Sequence, residues 1–150
     1  FRAIVEAADA VSCGNAYLAD LAERAGRRAT VLPTVVEVGD GPLPSEPPVP
    51  PHVLGWIGSR ATLPYVETAT VELAAVVAMG NPFRLRIIAD ASPTMPPGIP
   101  VEAVAWSLAG EAAAIDGMHV GIAPLPDDPW TRGKCGLKVL QMLVPGRFTS

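Results

Sequence analysis

Between residues 33 and 52 the chain reads PTVVEVGDGPLPSEPPVPPH, and seven of these residues are proline. Proline has no backbone N–H and holds φ at about −65°, so such a stretch joins neither a helix interior nor a central strand. It behaves as an extended linker. It therefore divides the 150-residue chain into pieces that must build their cores separately. The boundaries that follow are 1–38 for a leading piece, 39–52 for the linker and 53–150 for the main domain.

Both pieces alternate strand and helix patterns. Residues 2–8 read as a helix, 10–12 as a brief apolar strand, 16–25 as a helix and 29–32 as a strand. Asn15 suits an N-cap, Leu18, Leu21, Ala22 and Ala25 share one helical face, and Gly26 ends the helix. In the main piece the expected strands are 53–57, 85–89, 101–105 and 120–123. The expected helices are 65–79, 108–115 and 136–144. Strands alternating with helices predict an α/β fold: a Rossmann-like parallel sheet flanked by helices, with right-handed crossovers.

Composition narrows the function classes. Hydrophobic residues make up 49% and charged residues 17%. The longest apolar run, LAAVVAM at 73–79, is far short of the ~20 residues a membrane-spanning helix requires. The net charge is −4 and the pI about 5.1, and Lys and Arg form no stripe, so nucleic acid is not an expected partner. Cys13 and Cys135 lack pairing or metal spacing, and His52 and His119 stand alone. Reduced thiols, a cytoplasmic location and no metal are therefore expected.

The segment from Val120 to Gly146, VGIAPLPDDPWTRGKCGLKVLQMLVPG, carries the densest chemistry. An apolar strand runs into a proline-broken loop holding Asp127, Asp128, Arg132 and Lys134, and a helix follows at Gly136. Charged groups at the carboxyl end of a parallel strand sit where such sheets bind ligands. Lys134 is the first candidate for an anion, with Arg132 and Lys138 behind it. Asp127 and Asp128 suit either acid–base or Mg²⁺ work, or a simple turn, and Asp before Pro favours the turn. In Gly55–Ser59, GWIGS, Gly58 and Ser59 end the first strand of the main piece and suit close approach of a phosphate. The competing reading is a plain strand-to-helix turn capped by Ser59 or Thr62. Trp106 after the third strand reads first as core. Asp90 reads as a turn residue and His119 as structural. Cys135 lacks a histidine partner for nucleophilic work.

The tail GKCGLKVLQMLVPG resembles the donor-binding segment of retaining glycosyltransferases of family 4. These commonly read as an apolar strand ending in Pro, then E-G-F-G-L-x-x-L-E-A-M-A-x-G. A branch of that family reads P-D-D-P-W-x-x-G-K-C-G-F-K-L-L-Q, matched here almost letter for letter by PDDPWTRGKCGLKVLQ. The two family glutamates fall on Gly133 and Gln141. The resemblance implies a GT-B fold and sugar transfer, with retention, from a nucleotide-diphosphate donor to a glycan or lipid-linked acceptor. The reaction would be cytoplasmic or peripheral at the membrane, and no metal or other cofactor would be needed. It implies that Gly58, Ser59, Arg60 and Lys134 face the donor diphosphate, that Trp106 and Gln141 face the base and ribose, and that Arg132 and Gly133 lie on the sugar side.

Two other readings stand beside it. One is a non-catalytic nucleotide-sugar binder, suggested by the missing glutamates. The other is an α/β regulatory or interaction module without nucleotide. A start at Phe1 and a stop after PGRFTS read as an internal piece of a longer protein. The expectation is then that transfer needs the full-length form.

Overall fold

The computed structural model describes residues 1–36 and 49–143. Most of the expected linker, and Val144 at the end of the expected last helix, lie outside the described residues. In chain order the elements are α1 (Arg2–Ala7), β1 (Val11–Cys13), α2 (Ala16–Arg24), β2 (Ala29–Val31), β3 (His52–Ile57), α3 (Leu63–Thr68) and α4 (Thr70–Ala78). They continue with β4 (Phe83–Ala89), β5 (Val101–Ala105), α5 (Glu111–Ile115), β6 (Val120–Gly121), α6 (Pro129–Arg132) and α7 (Leu137–Leu143). The protein is mixed α/β, with parallel sheets flanked by helices. It divides into two compact units. Phe1–Val35 groups with Pro126–Leu137, and Val36–Leu125 groups with the segment from Lys138 on.

In the first unit β1 and β2 pair in parallel, Val11 opposite Ala29 and Cys13 opposite Val31. Helix α2 begins at Asn15, whose side chain accepts from Leu18 N at 2.9 Å. It ends in a left-handed glycine, Gly26 at φ 80°. There Gly26 N donates to Glu23 O at 2.9 Å and Arg27 N to Ala22 O at 3.1 Å, which satisfies the last helical carbonyls. Val5, Cys13, Ala19 and Ala22 form its small core.

In the second unit the described residues form a four-stranded parallel sheet in the order β5-β4-β3-β6. Alternation along the strands feeds two cores. Trp56, Phe83, Leu85, Ile87 and Ala89 pack with Leu63, Val66 and Leu73 of α3 and α4 on one face. Ile57 and Ile88 pack with Ile115 and Met118 on the other, with Val104 and Met142 against them. Because both faces are covered, β3 and β4 carry apolar residues at successive positions as well as alternate ones. The chain steps from β3 outward through β4 to β5, then returns to the far side of β3 as β6. The carboxyl ends of β3 and β6 therefore flank a topological switch point, where doubly wound sheets hold ligands.

Three local expectations change. The helix expected over 65–79 is two helices meeting at Ala69. Thr68 Oγ1 donates to Tyr65 O at 2.7 Å and Thr70 Oγ1 to Glu67 O at 2.5 Å. Hydroxyls bonded back to the preceding turn compete with the helical ladder at that point. The helix expected from 108 starts at Glu111. The expected loop between β6 and α7 contains α6, opened by a reciprocal cap: Asp128 Oδ1 accepts from Thr131 N at 2.8 Å and Thr131 Oγ1 accepts from Asp128 N at 3.1 Å. Pro129 fits its first turn, where a missing N–H costs nothing.

Candidate functional site

At the carboxyl edge of the four-stranded sheet, β3 leads into Gly58–Thr62, β4 into Asp90, β5 into Trp106 and β6 into Ile122. The turn after β3 closes on itself. Gly58 N donates to Ile88 O at 3.0 Å, Ser59 N to Thr62 Oγ1 at 3.0 Å, and Arg60 N to Asp90 Oδ1 at 2.5 Å. An anion approaching these N–H groups meets bonds already made, one of them to a carboxylate. Gly58 itself is needed for packing: a Cβ there would stand 2.4 Å from the Trp56 ring and 2.6 Å from Thr62 Oγ1. Ser59 and Arg60 have exposed side chains.

A second cluster gathers around Glu111, in the first turn of α5. Its Oε2 accepts from Trp106 Nε1 at 2.5 Å and from Lys138 Nζ at 2.9 Å, and its Oε1 accepts from Gln141 Nε2 at 2.6 Å. Glu111 is largely buried, its side chain 14% exposed. Burial pushes its carboxyl pKa up, but the hydrogen bonds from Trp106, Lys138 and Gln141, with the charge of Lys138, outweigh that and leave it below the usual glutamate value. Gln141 Oε1 is buried, with no hydrogen-bond partner among the described residues. Trp106, read first as core, is exposed, because its indole N–H is drawn to Glu111 beyond the end of β5.

Lys134, Arg132 and Gly133 belong to the first unit, whereas Gly58, Ser59, Arg60, Trp106 and Gln141 belong to the second. In the first unit Arg132 forms a two-pronged pair with Asp127, at 2.6 and 2.7 Å. The Arg132 guanidinium holds the Asp127 carboxyl below its usual pKa, and the Asp127 carboxylate raises that of Arg132. Asp128 is lowered chiefly by the Thr131 backbone N–H it caps. The two aspartates are therefore a pairing group and a capping group. Among the described residues, no group of three or more His, Cys, Asp or Glu side chains is arranged to hold a metal ion. The backbone of the Lys134 loop is held by Asn15, whose Nδ2 donates to Arg132 O and Lys134 O, each at 3.1 Å.

His119 is structural: its Nδ1 accepts from Val53 N at 2.9 Å, and its ring meets His52 edge-on. Among the described residues no helix is long and apolar enough to cross a membrane. Sequence reasoning missed Glu111 entirely. It missed the loop-holding part of Asn15 as well, having seen only its cap. No family model, curated protein or solved structure matches the chain.

Proposed function

We propose that the protein is a retaining glycosyltransferase of the GT-B type, transferring a sugar in the cytoplasm from a nucleoside-diphosphate donor to a glycan or lipid-linked acceptor. The observation that carries the reading is the sheet order. It reverses between β3 and β6, and four of the residues that the family resemblance assigns to the donor, Gly58, Ser59, Arg60 and Trp106, lie in loops at the carboxyl edge of that sheet. On this reading the exposed Trp106 offers an aromatic face to the base. The Glu111 carboxylate fixes the Gln141 amide through its nitrogen, so that the buried Oε1 is the acceptor end at the position the family resemblance assigns to the ribose. Lys134 offsets the charge that builds on the diphosphate as the sugar departs, the form of assistance that does most in a preorganised site.

One observation favours a second reading. The turn at Gly58–Arg60 has its N–H groups bonded internally, with Asp90 at the place a phosphate would take. An α/β interaction module that binds no nucleotide accounts for that closure. Calorimetric titration of the chain and of Lys134→Ala with UDP and GDP separates the two. The transferase reading expects binding that Lys134→Ala weakens by about 1.5–3 kcal/mol, the range for a charge-assisted contact. Absence of binding by both nucleotides would leave the interaction module standing.

A further inference from the structure

Asn15 uses its one amide in two directions. Oδ1 accepts from Leu18 N at 2.9 Å and opens α2. Nδ2 donates to Arg132 O and Lys134 O, 117 and 119 positions away along the chain. An amide oxygen is an acceptor only and an amide nitrogen a donor only, so both sides of the contact demand the same orientation. Both nitrogen hydrogens are then committed to carbonyls of one loop.

That loop needs an outside hold. Lys134 stands between Gly133 and Gly136, and Gly136 is in the left-handed region at φ 70°. Glycine leaves backbone direction loosely specified. The short helix α6 fixes only the amino-terminal side, through Lys134 N to Thr131 O at 3.0 Å. The carbonyl side is fixed by Asn15, itself held rigidly as the cap of a nine-residue helix.

We infer that Asn15 is a positioning residue for Lys134: its amide holds the loop in the form that meets the donor diphosphate, so the segment around β1 and α2 sets donor affinity. This rests on the transferase reading above. The test separates cap from clamp. Asn15→Asp and Asn15→Ser both keep an oxygen that can cap α2. Aspartate has no N–H to give the two carbonyls, and the serine hydroxyl is too short to reach across to them.

Hydrogen exchange and UDP and GDP titration of the whole chain read the outcome. The expected result is unchanged protection at Leu18, faster exchange over 132–136, and nucleotide binding about tenfold weaker in both variants, as loss of two neutral hydrogen bonds implies. Lys134→Ala added to Asn15→Asp then costs less than it does alone. Three results overturn the inference. Binding unchanged in both variants, while Lys134→Ala loses it, removes the inference and leaves the transferase reading intact. Weaker binding with lost protection at Leu18 assigns the effect to the cap instead. A parent chain that binds neither nucleotide removes the transferase reading and this inference together.

Discussion

Gln141 donates from Nε2 to Glu111 Oε1 at 2.6 Å, and this bond decides which end of the amide faces away from the carboxylate. It also joins the second turn of α7 to the first turn of α5. The same carboxylate takes Lys138 and Trp106, so one side chain terminates hydrogen bonds from three others.

Glu111→Ala is expected to destabilise the protein by roughly 2–3 kcal/mol, since it strands half-buried donors, one of them charged. Glu111→Gln retains an acceptor and is expected to cost less. Urea midpoints of the two variants and the parent check the order. Equal midpoints for Glu111→Ala and the parent would remove the cluster's structural role.

The acid limb should show the same residue. The Glu111 carboxyl lies below its ordinary value of 4.5 in the folded protein, so the folded state binds its proton less readily than the unfolded chain does. Its contribution is therefore full above pH 4.5 and fades as the pH falls through the lowered folded value. Parent and Glu111→Gln midpoints should converge over that window. Asp127 and Asp128 are also lowered but are common to both chains and cancel in the difference. A gap that stays constant down to pH 3 would contradict the assignment.

Leu85 is fully buried in β4, opposite Leu54 and Val101. Leu85→Ala is expected to cost about 2–5 kcal/mol through lost burial and the cavity it leaves. Val71→Ala, at a residue 76% exposed on α4, should stay within about 0.5 kcal/mol. Thermal unfolding of the pair measures the contrast.

A Cβ at Gly14 would stand 2.1 Å from Cys135 Sγ. Gly14→Ala should therefore displace the half-buried Cys135 thiol and speed its reaction with a water-soluble disulfide reagent. Cys13 is buried and supplies the slow background. An unchanged rate of the faster phase would mean that the loop yields without exposing the sulfur.

What was legible in the sequence was local. Asn15 before an amphipathic run announced a cap, Gly26 announced a helix end, and the apolar text of β3 and β4 announced strands covered on both sides. The break at Ala69 was masked because Thr68 and Thr70 sit within a run that keeps a helical apolar face. The distant partnerships left no local trace. Glu111 finds Lys138 and Gln141 27 and 30 positions on, with no periodicity to mark it. Gly58 carries two readings at once, because a glycine that admits the Trp56 ring has the same letter as one that admits a ligand.

The first unit is assembled from two stretches separated by nearly all of the second. A ribosome delivers Asn15 long before the carbonyls its amide will hold, and synthesis at about 5–20 residues per second leaves that amide waiting for several seconds. In that interval β3, β4 and β5 are already available to pair. The Lys134 loop is thus made after every strand of both sheets, with only α7 to follow among the described elements. A premature stop after Leu125 would release a chain with every strand described here and none of the loop that Asn15 exists to grip.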